Sequence, residues 1–180
     1  MSIFHIRSIF RRVARGEDGF TLIELLTAAV VLAIGISALT TVLISSRQLV
    51  NDSERRAAAN HVAEEALEDV LARPYGQVAL ASLPTPSSDP FDPDYYVSGA
   101  TYRPNQSGGG STGYEALVSG GTVASSSPWS DGRLSGRVHR YVTSANVGPA
   151  DAVKRVTIAV TVTGGEHRIK PILVSSVMAP

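Results

Sequence analysis

The sequence contains no cysteine. Disulfide staples, thiol nucleophiles and cysteine metal sites are therefore excluded. Compartment is not, because an exported domain with an adequate core needs no disulfide. Excess charge is also lacking: 16 Lys and Arg face 16 Asp and Glu among 180 residues, so overall charge gives no reason to expect a nucleic-acid partner. Two local absences matter more. No charged residue lies between Leu25 and Ser46, and no proline lies between Gly19 and Pro74. An uninterrupted helix is the natural reading of such a stretch, since nothing removes a backbone donor or demands a polar surface.

The length allows one soluble domain and an anchor, with too little chain for two sizeable cores. At ~1.5 Å per residue the uncharged run makes roughly 33 Å of helix, enough for a hydrocarbon core about 30 Å thick. It is too long for the hydrophobic segment of a secretory signal, and the small residue Gly19 precedes the run instead of following it. Arg7, Arg11, Arg12 and Arg15 stand in front, and a basic flank predicts a cytoplasmic N-terminus with the rest outside. Ile3, Ile6, Phe10 and Val13 recur at helical spacing opposite Arg7, Arg11 and Arg15, a pattern for a short helix on an anionic surface or for a disordered leader. A plain anchor leaves three features unexplained: Gly19, Phe20 beside it, and one acid, Glu24, in the first turn.

Gly19-Phe-Thr-Leu-Ile-Glu24, followed by the apolar run, resembles the processing site of type IV prepilins and type II secretion pseudopilins. The resemblance implies cleavage after Gly19 by a membrane prepilin peptidase, N-methylation of Phe20, and a mature helix that carries the subunit into a filament. It also implies that Glu24 of one subunit pairs with the Phe20 amine of the next. An unpaired carboxylate in a membrane helix costs a few kcal/mol or more, and the helix N-terminus offsets part of that.

Beyond Ser46, Ala59, Ala63, Ala66 and Val70 recur at spacings of four, three and four, with Val62, Leu67 and Leu71 beside them. This is an apolar stripe suited to a sheet. Asp69 and Arg73 have the favourable i, i+4 order, and Pro74 ends the helix at Arg73. Glu64, Glu65, Glu68 and Asp69 read as a solvated face.

Residues 74–136 are rich in Gly, Pro and Ser, with short candidate strands at Tyr95–Val97, Tyr114–Val118 and Thr122–Ala124. Gly108 to Gly113 lacks the lysine of a phosphate loop. Asp89, Asp92 and Asp94 offer neighbouring oxygens, but their spacing is not that of an EF-hand, and the interleaved prolines read as turns. His5, His61, His139 and His167 have no metal-site spacing, so no metal or cofactor is assigned. No nucleophile elbow or other catalytic constellation is recognisable.

The last third alternates clearly. Val156, Ile158, Val160 and Val162 interleave with Thr157, Ala159, Thr161 and Thr163, predicting a strand with one buried face. Gly164-Gly165 suits a tight hairpin. A return strand follows from about His167 to Val177, with Pro171 marking an edge or bulge, and Arg137–Thr143 forms another strand. The expected fold is α+β: a long N-terminal helix packed on a small antiparallel sheet. Its parts are a leader (1–19), a transmembrane half-helix (20–46), an amphipathic half-helix (47–73), a variable region (74–136) and a C-terminal sheet (137–180).

Two further segments, Ala63-Glu-Glu-Ala-Leu-Glu-Asp-Val-Leu-Ala-Arg-Pro-Tyr75 and Lys154-Arg-Val-Thr-Ile-Ala-Val-Thr-Val162, look like parts of minor pilins of the PilV-like group. Ala33-Ile-Gly35 is a similar echo. The resemblance implies a minor structural subunit in the inner membrane, with other pilin subunits and an assembly platform as partners. The closest other reading is a minor pseudopilin of a secretion system; a membrane-anchored binding module that never polymerises is the third. The C-terminal disulfide of many pilins is absent, and the missing helix proline favours a minor subunit or pseudopilin.

Overall fold

A computed structural model describes residues 20–104, 113–145, 153–163 and 168–180. One α-helix, α1, runs from Leu22 to Leu71. The chain divides into two compact units, Met1–Gln48 and Leu49–Pro180.

In the first unit every described residue is exposed, and the surface is apolar apart from Glu24, scattered hydroxyls and, at its outer end, Arg47 and Gln48. Those hydroxyls turn back onto their own helix. Ser37 Oγ donates to the Ala33 carbonyl at 2.8 Å, Thr40 Oγ1 to Ile36 at 2.9 Å, Thr41 Oγ1 to Ser37 and Ser45 Oγ to Thr41, both at 3.0 Å. In hydrocarbon an unpaired hydroxyl is costly, and the i−4 carbonyl is the nearest acceptor. The helix is long and apolar enough to cross a membrane.

In the second unit the helix buries Ala59, Ala63, Ala66 and Val70, the stripe expected from their spacing. Alanine there lets the helix axis approach the sheet closely. The helix ends at Leu71, two residues before the expected limit. A last turn tightens as Ala72 N donates to the Glu68 carbonyl at 2.8 Å and Arg73 N to that of Val70 at 3.2 Å. The Asp69–Arg73 pair forms at 2.9 Å.

The strands are β1 (Val97–Ser98), β2 (Thr101–Tyr102), β3 (Glu115–Leu117), β4 (Ser126–Asp131), β5 (Leu134–Ala145), β6 (Val153–Thr163) and β7 (Ile172–Met178). They form one antiparallel sheet in the order β1-β2-β3-β5-β6-β7, with β4 also on β5. β4 covers the first half of β5, from Leu134 to His139, and β3 meets Thr143 and Ser144 further along. Val138, Arg140 and Val142 pair with Val160, Ile158 and Val156 on one face; His139, Tyr141 and Thr143 pair with Ala159, Thr157 and Arg155 on the other. The first face joins the helix stripe in a single apolar cluster.

The second face is covered too, which alternation alone does not suggest. His139, Tyr141, Thr143 and Arg155 find partners in the region before β4, whereas the buried Thr157 Oγ1 has no hydrogen bond among the described residues. Thr143 Oγ1 donates to Glu115 Oε2 at 2.5 Å, Arg155 Nε donates to Glu115 Oε1 at 3.3 Å, and Tyr141 stacks on Tyr102 with ring centroids 3.7 Å apart. β6 is accordingly buried on both faces from Val156 to Val160.

Four expectations change. Of the strand expected at Tyr95–Val97 only Val97 enters β1, because Tyr95 and Tyr96 close the 3-10 turn Pro93–Tyr96. Thr122–Ala124 is not a strand: Val123 makes only an isolated bridge to Leu80. Residues 126–131, read as loop, form β4, where Pro128 is tolerated because one side of an edge strand needs no donor. The return strand begins at Ile172, after Pro171, and not near residue 167. The Gly164-Gly165 turn lies outside the described residues, as do most of the 107–113 loop, the basic leader and His5 and His167.

Candidate functional site

The N-terminal site is built on the first turn of α1. The Thr21 hydroxyl accepts from Glu24 N at 3.3 Å, and the Thr21 carbonyl accepts from Glu24 N and Leu25 N at 3.0 and 3.1 Å. Thr21-Leu-Ile-Glu24 thus has the T-x-x-E form of a capping box, with Thr21 satisfying one of the orphan amides of the helix start. Sequence reasoning credits Glu24 alone, although the cap is readable in the same four residues. Phe20 lies just outside the cap and is 82% exposed. Glu24, in the first turn, has no hydrogen bond or ion pair from its carboxylate among the described residues. Gly19 lies outside the described residues.

The geometry therefore presents an exposed aromatic residue before a capped helix start, with a carboxylate one turn inside. Nothing in this turn is arranged to activate a nucleophile or transfer a proton. What it offers is an exposed residue ahead of the helix and a carboxylate without a partner among the described residues.

The three aspartates of the variable region do not act as one set. Asp89 accepts from Phe91 N at 2.9 Å and pairs with Arg168 at 2.7 Å. These bonds, that of Phe91 first, hold its carboxyl below the usual range. Asp92 caps the short 3-10 turn Pro93–Tyr96 by accepting from Asp94 N at 2.9 Å. Asp94 instead turns to the sheet: Oδ1 accepts from His139 Nδ1 at 3.2 Å and from the Tyr141 hydroxyl. Burial alone would raise its carboxyl, but the bonds from His139 and Tyr141 and the attraction of His139 and Arg137 hold it low. Burial, followed by the charge of Asp94, drives the Tyr141 hydroxyl far above its ordinary range, so it acts only as a donor or acceptor. Sequence reasoning does not find the partnership of His139 with this turn, because 45 residues separate it from Asp94.

Residues 14–40 match the family described as the prokaryotic N-terminal methylation motif. The match spans Gly19, Phe20, the capped turn and most of the uncharged run. No curated protein and no solved structure matches the chain. Such a motif implies processing by a prepilin peptidase and association with a membrane. The chain thus carries a prepilin-type methylation motif at the head of a membrane-length helix, which supports a place among type IV pilin-like and pseudopilin-like proteins.

Proposed function

We propose that the chain is a prepilin whose mature form is a minor structural subunit of a type IV pilus-like filament, most similar to the PilV-like group, and not an enzyme. The observation that carries this reading is the motif match across the Gly19–Phe20 junction. The leader (1–19) stays in the cytoplasm, residues 20–46 span the inner membrane once, and 47–73 continue as the amphipathic half-helix. Residues 74–136 form the variable surface and 137–180 the C-terminal sheet, both outside. Prepilin peptidase cleaves after Gly19, where the absent side chain lets catalytic groups approach the backbone, and methylates the Phe20 amine. The helix then leaves lipid for the filament core with the help of the assembly platform.

Glu24 supplies the register. Its carboxylate meets the Phe20 amine of the adjacent subunit, and each charge removes the other's desolvation penalty. The exposed, unpaired state of Glu24 in a single chain supports this assignment. The motif is shared with minor pseudopilins of type II secretion systems, which remains the second reading.

Mass spectrometry of the protein from membranes and sheared filaments tests processing. The expected N-terminus is methylated Phe20; an intact Met1 terminus in every fraction would overturn the proposal. Assembly is tested separately with Glu24→Ala. Membrane levels and cleavage should be unchanged, while recovery in sheared filaments should fall about tenfold or more, the equivalent of ~1.4 kcal/mol or more per contact. Normal recovery would remove Glu24 from the assembly mechanism.

A further inference from the structure

Asp92, Asp94 and His139 each place one ligand atom within 4.8 Å of the others. They come from different parts of the fold: the carboxylates from the turn around Pro93, the imidazole from the middle of β5. His139 is buried at 5% exposure, whereas the two aspartates are half-buried. All three line one open cleft of roughly 680 Å³. We propose that these residues form a binding site for a divalent first-row transition metal of the zinc class, which clips the 92–96 turn to the sheet.

Several observations converge on this assignment. Zinc ligands at about 2.0–2.1 Å lie roughly 3.3 Å apart around a tetrahedral ion. His139 Nδ1 and Asp94 Oδ1 are already 3.2 Å apart, bridged by a proton. A metal replaces that proton without moving the pair far. Asp92 lies on the turn and uses Oδ1 to cap it, leaving Oδ2 without a hydrogen bond among the described residues. Asp94 Oδ2 is likewise without one, while the Tyr141 hydroxyl anchors the same carboxylate from the sheet side. A ligand carboxylate fixed by an outer hydrogen bond is the arrangement that orients metal sites. The cleft supplies room for water at the fourth position.

The donor set also selects the class of ion. One imidazole and two carboxylates suit zinc and its neighbours, whereas calcium takes six to eight oxygens. Of the cleft's two cations, Arg168 is neutralised by another partner, while Arg137 also attracts Asp94. Arg137 donates to Ser126 Oγ at 2.9 Å, and Arg168 is paired with Asp89.

The test uses the tag-free full chain in detergent, stripped with chelator and dialysed against Zn2+. One zinc per chain is expected, with a rise in melting temperature and an N/O-only shell by X-ray absorption. Asp92→Asn should weaken binding about tenfold or more yet melt like the stripped wild type, because an amide oxygen still accepts from Asp94 N. His139→Gln should do the same to affinity, and His61→Gln on the exposed helix surface should change nothing. Calcium should not displace zinc. No stoichiometric zinc, zinc binding that survives Asp92→Asn, or tighter binding of calcium would each overturn the proposal. This site does not depend on the processing of Gly19, so either assignment can fail alone.

Discussion

Gly136→Ala is expected to destabilise the second unit by at least about 3 kcal/mol, beyond the usual cost of overpacking. Gly136 sits in β5 opposite Val162 of β6 and opposite Trp129 of β4. The indole crosses the glycine and Nε1 donates to the Thr161 carbonyl at 3.1 Å. A Cβ at residue 136 would stand 2.6 Å from that Nε1 and 2.9 Å from the Thr161 carbonyl carbon, with the carbonyl oxygen closer still. Rotating Trp129 relieves the first clash and not the second, because the obstacle is backbone of the central strand pair. β5 and β6 must therefore separate locally.

Thermal unfolding of the full chain in detergent, followed by the emission of its single tryptophan, reads both effects. The midpoint should fall by roughly 10 °C at ~2–4 °C per kcal/mol, and emission should shift red as the indole leaves its seat. Gly76→Ala is the control: no atom lies within 4 Å of its would-be Cβ, and the change should stay within about 0.5 kcal/mol. An unchanged midpoint for Gly136→Ala would show that β4 does not pack as described.

Tyr141→Ala should cost about 3–5 kcal/mol from truncation of a buried aromatic ring alone. Tyr141 has no exposed surface, and its ring lies nearly parallel to that of Tyr102, at 3°. The same change removes a donor from Asp94, and weakening a bond to a partly buried charged group adds about 1.5–3 kcal/mol. Tyr141→Phe separates the two contributions, since it keeps the ring and loses only the hydroxyl. Urea unfolding of both variants should therefore rank Ala well below Phe, and Phe below wild type. Equal midpoints for Phe and wild type would show that the hydroxyl bond contributes nothing to stability.

Much of this architecture is visible in the order of residue types. The spacing of Ala59, Ala63, Ala66 and Val70 matches a helix turn, and the alternation from Val156 to Thr163 matches a pleated strand. Both periods follow from backbone geometry, so the helix face and β6 need no knowledge of their partners. β4 is different. Ser126-Ser-Pro-Trp-Ser-Asp131 has neither alternation nor β-branched residues, and it is a strand because β5 offers it an edge and Gly136 seats its tryptophan. The second cover of the sheet is hidden for a similar reason: Asp94, Tyr102 and Glu115 find Tyr141, His139, Thr143 and Arg155 only after the chain has folded back. At the N-terminal site, the Thr21 cap and Glu24 are local and readable, whereas the pairing proposed for Glu24 involves another chain.

The hydroxyls of Ser37, Thr40, Thr41 and Ser45 are committed to carbonyls of their own helix. That closure governs how the helix trades surroundings. A span held to its neighbours by interhelical hydrogen bonds must break them to depart, and each break in hydrocarbon exposes a polar atom. Here exchange of lipid for protein along that stretch swaps one set of dispersion contacts for another of similar strength. In the proposed filament, transfer between bilayer and bundle would thus be nearly isoenergetic over the middle of the helix, leaving the direction to the pairing proposed for Glu24.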